Sequence, residues 1–157
     1  MVQINKSNAL AYWLSVIIAM TLRIAPWSPF FSMIAPDWVI LTLIYWALVI
    51  PEEASVGKAW CVGLLVDVLT GQLLGQYALA YACSIFLCAK QHKRIRNFPV
   101  IQQGLAIFAI LFIARVLIFW TEHINHQLMP FYFWLPVLTG ALVWPVVYIV
   151  LSKIHFR

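Results

Sequence analysis

Long apolar runs, separated by short polar turns, occupy almost the whole chain. Of its 157 residues, 64% are hydrophobic and 10% are charged, whereas a water-soluble domain carries about 25% charged residues. Because one small core cannot bury such a surplus of apolar side chains, lipid must cover part of the surface. A helix satisfies its backbone hydrogen bonds within one segment. The composition therefore predicts an all-α integral membrane protein, folded as a single domain over residues 1–157.

The apolar runs predict six transmembrane helices. Their expected bounds are residues 9–24, 37–50, 55–69, 74–89, 103–121 and 133–151. The second run is short, since it reaches about 21 Å at the helical rise while the hydrocarbon core is about 30 Å thick. A helix that continues past a flanking proline, a thinner bilayer or cover from neighbouring helices would each accommodate this run.

Residues 63–81 join the third and fourth runs, and we expect the bundle to be arranged around them. The polar turn between the runs is about four residues long, so the two helices must form an antiparallel hairpin. Gly71 and Gly75 lie at this turn. Their spacing is also that of a helix-dimer motif, but a pair that straddles a turn is better explained by backbone freedom.

Three charged side chains lie inside the apolar runs or at their ends. An ionised group at bilayer depth costs about 2.5–3.5 kcal/mol, so it should face protein or water. Asp67 and Arg115 lie at matched depths, about 18 Å along their helices, and Arg23 lies at a similar depth. We expect Arg115 or Arg23 to offset Asp67 inside the bundle. The alternative is that each side chain extends separately to the membrane interface.

A stripe of small residues follows one face of the first run. Ala11, Ser15 and Ala19 recur every four residues and lead to Arg23 on the same face. Small side chains let two helices approach closely within a membrane. We expect this stripe to contact another helix, either in this protein or in a partner.

The basic residues collect on one side of the predicted topology. They are Lys6, Lys58, Lys90, Lys93, Arg94, Arg96, Lys153 and Arg157. The excess of Lys and Arg in cytoplasmic loops predicts that both termini are cytoplasmic. Because these residues sit at the ends of runs, the net charge of +5 does not indicate nucleic-acid binding. The basic loop 90–96 is expected to attract anionic membrane lipids, or else to dock an acidic partner.

Reactive groups are scarce in the sequence. No loop is longer than about a dozen residues, and no catalytic or phosphate-binding motif stands out. Residues 122–126, EHINH, lack the His-Glu-x-x-His order that places two zinc ligands on one helical face. We therefore expect no enzymatic activity, no metal site and no cofactor.

The order of these features resembles the MreD family, the rod shape-determining membrane proteins of bacteria. The matching stretches are APW at 25–27, PDWVIL at 36–41, YWAL at 45–48, VG at 56–57, GLLVDVLTG at 63–71, LG at 74–75 and WP at 144–145. The most specific part is the central block, in which Asp67 precedes Gly71 by four residues and Gly75 by eight.

This resemblance implies a non-catalytic scaffold of the cell-elongation complex in the bacterial inner membrane. It implies binding to MreC, and contact with MreB, RodA and the elongation-specific transpeptidase directly or through MreC, in support of peptidoglycan synthesis and rod shape. It also implies a bundle similar to the substrate-binding subunits of energy-coupling-factor transporters. A vitamin-binding transporter subunit is therefore the alternative. Such a subunit needs a polar outward pocket, whereas the outer loops 25–35 and 122–132 are mostly aromatic and apolar, which favours the scaffold.

Overall fold

The computed structural model describes residues 6–124, 128 and 130–155, and the regular structure of these residues is entirely helical. The helices are α1 Lys6–Ile24, α2 Pro29–Ile34, α3 Trp38–Val49, α4 Val56–Thr70, α5 Gln76–Arg96, α6 Val100–Ile124 and α7 Leu135–His155, with a turn of 3₁₀ helix at Phe131–Trp134 before α7. The prediction of an all-α protein is confirmed for the described part of the chain.

Four segments of the described chain are long and apolar enough to cross a membrane. They are Lys6–Ile24, Pro29–Val49, Val100–Ile124 and Phe131–Ile154. The protein is therefore a membrane protein. The α4 helix has only 15 residues, and α5 ends in Lys93, Arg94 and Arg96, so neither has the length and apolar composition of the other four. The expected number of six spans stays a prediction.

The chain order gives the bundle two distinct ends. Lys6 begins α1 and His155 ends α7, and the α3–α4 and α5–α6 connections lie at this same end, which we call the terminal end. The opposite end, which we call the hairpin end, holds the short α2 helix, the α4–α5 turn and the 3₁₀ turn before α7. The α4 and α5 helices pack side by side, as expected for the hairpin.

The α3 helix is the centre of the bundle. Residues 39–48 are all buried, and α3 packs against α1, α5 and α7. A helix that is apolar on every side lies either in lipid or in a protein core, and here neighbouring helices surround it. The expectation that the bundle is arranged around residues 63–81 was therefore wrong. Neighbouring helices therefore cover this short segment, and α2 precedes it in the longer apolar stretch Pro29–Val49.

The predicted contact of the small-residue stripe is confirmed within the chain. Ser15 and Ala19 are buried and Ala11 is half-buried, and α1 packs on α3. The indole Nε1 of Trp46 donates a hydrogen bond to Ser15 Oγ at 2.9 Å. The stripe therefore lets α1 approach the central helix closely, and a serine hydroxyl satisfies a buried indole.

The α4 helix lies against the backbone of α5 at Gly63. A Cβ atom at this position would lie 2.6 Å from the backbone nitrogen of Ala78 and 2.8 Å from the Tyr77 carbonyl oxygen. Both are backbone atoms of α5, so they cannot rotate away as a side chain would. Only glycine allows α4 and α5 to lie this close together at residue 63.

We predict that Gly63→Ala destabilises the protein by about 1–3 kcal/mol, because the added methyl group separates α4 from α5. The matched control is Gly57→Ala on the same helix, where a Cβ atom meets nothing within 4 Å. Thermal unfolding of both variants in the same detergent measures the difference. Equal unfolding temperatures for the two variants would contradict the close contact.

Candidate functional site at the hairpin end

Asp67 forms the N-terminal cap of α5 although it belongs to α4. Its side chain is fully buried. Its Oδ2 atom accepts hydrogen bonds from the backbone N–H groups of Gly75 at 2.9 Å and Ala78 at 3.4 Å, and its Oδ1 atom accepts one from Tyr77 at 3.0 Å. The first N–H groups of a helix have no acceptor within the helix and carry its positive dipole end. A carboxylate therefore stabilises this end strongly.

Gly71 and Gly75 give the turn its shape. Gly71 ends α4 with φ 66°, and its N–H bonds to the Asp67 carbonyl oxygen. Gly75 precedes α5 with φ 98° and has no side chain with which to cap the helix. Residues with a Cβ atom avoid these positive φ values, and a Cβ atom at either glycine would have free space around it. The role of backbone freedom at this turn is confirmed.

The predicted ion pair of Asp67 was wrong. Its hydrogen-bond partners are backbone N–H groups, and Arg23 instead bonds to Asp37, with Nη1 2.8 Å from Oδ2. Arg115 forms no ion pair in the described part of the chain; its guanidinium carbon lies 4.5 Å from the centre of the Phe133 ring. Backbone donors account for the difference, because they satisfy a buried carboxylate without a cation.

Asp37 is a second capping carboxylate, which was not predicted from the sequence. Its Oδ1 atom accepts from the Val39 N–H at 3.2 Å, so it caps α3. The hydroxyl of Tyr81 donates to its two oxygens at 2.9 and 3.1 Å. The guanidinium of Arg23 also lies over the Tyr77 ring, 4.4 Å from its centre. The sequence signal was available, since an aspartate follows Pro36 immediately before an apolar run.

A cavity of about 370 Å³ lies among these charged groups. We call it the arginine cavity; its lining includes Arg23, Trp27, Asp37, Gln72, Tyr77 and Arg115. Arg23 Nε, although buried, has no hydrogen-bond acceptor among the described residues. The outer loops had suggested that no polar pocket would form. The structure differs because Arg115 and Gln72 reach the cavity from α6 and from the α4–α5 turn.

A second, apolar depression adjoins the arginine cavity. We call it the α1–α7 groove; its volume is about 180 Å³, and it is lined by Ser15, Ile18 and Ala19 of α1 and by Val146, Val150 and Ile154 of α7. Leu22 and Trp38 line both the cavity and the groove. The small-residue stripe therefore has its inner side on α3 and its open side in this groove.

The prediction that residues 122–126 hold no metal falls partly outside the described residues, which do not include Asn125 and His126. Arg157 also lies outside them. The described part of this stretch contributes one polar contact to the bundle. Glu122 Oε1 accepts a hydrogen bond from Gln76 Nε2 at 2.9 Å. Glu122 therefore connects α6 to the first turn of α5, beside the cap formed by Asp67.

We predict that Asp67→Ala destabilises the protein by about 3 kcal/mol, because buried N–H groups lose their acceptor. The matched control is Glu52→Gln, which also removes one acid but at an exposed position. Thermal unfolding in detergent measures both variants.

Asp67→Lys combined with Arg115→Asp should be no more stable than Asp67→Lys alone. Recovery in the double variant would restore the ion-pair hypothesis.

The family model described as rod shape-determining protein MreD matches residues 5–154. The rod shape-determining protein MreD of Haemophilus influenzae is 36% identical over 142 residues, which cover 88% of this chain and 86% of that protein. No solved structure matches the chain significantly, so the expected similarity to energy-coupling-factor subunits stays a prediction. The sequence match extends through the apolar helices and the hairpin with its buried cap, and the chain belongs to the MreD family of rod shape-determining membrane proteins.

Proposed function

We propose that this protein is a non-catalytic scaffold of the cell-elongation complex and that it binds the membrane segment of MreC. The observation that carries the proposal is an exposed apolar face on the hairpin, which includes Leu65, Val68, Leu69, Leu73, Leu74 and Leu79. Such a face at lipid depth packs against either lipid tails or another helix. Membership of a rod shape-determining family favours a protein partner.

The hairpin is suited to this role because buried contacts hold it rigid. Asp67 caps α5 from α4, Gly71 and Gly75 set the turn, and Gly63 brings the helices into contact. A partner helix that packs on a preformed surface does not have to order that surface first, so less binding free energy is lost. The three residues Asp67, Gly71 and Gly75 thus determine the surface without touching the partner.

The small-residue stripe is a weaker candidate for the partner surface. Ser15 and Ala19 are buried against α3, and only their edges border the α1–α7 groove. Ala11 is half-buried on the same face. We therefore assign MreC to the hairpin face, and MreB, RodA and the elongation-specific transpeptidase to contacts made directly or through MreC. In this way the protein supports peptidoglycan synthesis along the side wall.

We place the protein in the bacterial inner membrane with the terminal end in the cytoplasm. Lys6, Lys58 and Lys153 belong to this end, together with the basic last turn of α5. The hairpin end has Arg23 in the last turn of α1. This asymmetry supports cytoplasmic termini by the rule that cytoplasmic loops are rich in Lys and Arg.

The arginine cavity supports a second candidate function, a small-molecule-binding subunit of an energy-coupling-factor-type transporter. Its volume of about 370 Å³ is within the range of small-ligand pockets. The protein purified from its native membrane separates the two functions. Co-purification with MreC supports the scaffold, whereas a bound vitamin without MreC supports the transporter subunit.

We predict that a photo-crosslinking amino acid at Val68 captures MreC in living cells. The substitution Val68→Trp should weaken the contact with MreC and make the cells round, as depletion of the protein should. Val68 is 65% exposed on α4. The matched control is Leu105 on α6, which is 71% exposed and outside the hairpin. Crosslinks to MreC from position 105 but not from position 68 would move the partner to another face.

We predict that alkaline phosphatase fused after Arg157 is inactive, because this enzyme folds actively only outside the cytoplasm and the C-terminus is placed inside. The same enzyme inserted at Gln72, in the exposed α4–α5 turn, should be active. Measuring phosphatase activity in whole cells at equal expression compares the two fusions. An active C-terminal fusion would reverse the orientation.

A further inference from the structure

The arginine cavity carries an unbalanced positive charge. Two arginines and one aspartate line it, and the aspartate, Asp37, is already bonded to Arg23 and to the Tyr81 hydroxyl. Arg115 has an aromatic neighbour, Phe133, but no carboxylate at ion-pair distance in the part of the chain that the structure describes. A buried N–H of Arg23 is also without an acceptor there. The cavity therefore has charge and hydrogen-bond donors that suit an anion.

The position of the cavity favours a phosphate group. Its walls come from the ends of apolar helices, namely the last turn of α1, the first residues of α3 and the α4–α5 turn, where a membrane changes from hydrocarbon to headgroups. The planar guanidinium of arginine matches phosphate geometry with paired hydrogen bonds. Arg115 of α6 and Arg23 of α1 both line the cavity, so a phosphate there has two guanidinium groups as neighbours.

The α1–α7 groove supplies the apolar half of the site. It shares Leu22 and Trp38 with the arginine cavity, so the polar and apolar spaces adjoin. Its other walls include Ile18, Val146 and Val150, and its length along α1, from Ser15 to Leu22, is about 10 Å at the helical rise. A polar cavity that continues into an apolar groove is complementary to an amphipathic molecule.

We propose that this site binds one anionic phospholipid, with its phosphate held by Arg115 and Arg23 and one acyl chain in the α1–α7 groove. The inference does not rest on the scaffold function, since none of the exposed apolar residues of the hairpin face lines the arginine cavity or the groove. Three ligands separate the contributions. Phosphatidylglycerol has both phosphate and tails, diacylglycerol has tails alone, and glycerol 3-phosphate has phosphate alone.

Native mass spectrometry of the full-length protein, released from detergent after incubation with each ligand, measures occupancy. The wild-type protein should retain one phosphatidylglycerol but no diacylglycerol, and millimolar glycerol 3-phosphate should not displace the lipid. Arg115→Gln should lower the lipid occupancy about tenfold, the change that a loss of 1.4 kcal/mol produces at 25 °C. The control Arg94→Gln removes the same charge from an exposed position on α5 and should have no effect.

Two further variants and one control keep the test independent of folding. Arg115→Lys retains the positive charge and should bind more lipid than Arg115→Gln. Val146→Trp fills the groove from a position that is 59% exposed and should lower occupancy, whereas Leu142→Trp, at 78% exposed on the same helix, lies outside the groove and should not. All variants are compared at matched size-exclusion profiles.

Three results would overturn the proposal. Unchanged lipid occupancy in Arg115→Gln would remove the arginine from the site. Displacement of the lipid by glycerol 3-phosphate would identify the ligand as a soluble phosphate compound. Full lipid occupancy in Val146→Trp, together with loss of MreC co-purification, would assign the groove to a partner helix instead of an acyl chain.

Discussion

The hairpin depends on a buried carboxylate that is bonded to backbone instead of to a cation. The first N–H groups of α5 have no acceptors of their own, and Gly75 has no side chain to supply one. Asp67 of α4 fills this need with two oxygens, at the positive end of the helix dipole. The Asp67 carboxylate and the first N–H groups of α5 would each be costly to bury without a partner. Their contact therefore fixes the length of the turn and the register of α4 against α5.

The central helix is positioned by the same kind of contact. The α3 helix has no polar face, so its hydrophobic pattern does not specify which side faces which neighbour. Asp37 removes this ambiguity at the hairpin end, where it caps α3 and bonds to Arg23 and Tyr81. The bond from Trp46 to Ser15 fixes the middle of the helix against α1. Burial of apolar surface stabilises the bundle, while a few polar contacts select one arrangement of it.

The sequence was sufficient for the helical class, the hairpin and the role of its glycines, because periodicity and turn chemistry act locally. It was also sufficient for the small-residue stripe on α1. It was not sufficient for the partner of Asp67, because an inventory of charged side chains omits backbone N–H donors. The central place of α3 and the contact at Gly63 depend on which helices become neighbours, and no local pattern specifies that. The shortness of the second apolar run was a signal of burial, but a thinner bilayer or a helix that continued past a proline would accommodate it equally well.

The hydrogen-bond partners of Asp67 and Asp37 determine which arginine has no carboxylate partner among the described residues. Asp67 is neutralised by a helix end, and Asp37 is bonded to Arg23, so Arg115 keeps its charge uncompensated by the described acids. Had Asp67 paired with Arg115, the arginine would have a carboxylate partner and α5 would lose its cap. An arginine within an apolar helix is costly unless water or an anion reaches it, and the arginine cavity provides that access. None of the exposed apolar residues of the hairpin face lines this cavity or the groove, so one molecule has room for a lipid and a partner helix at the same time.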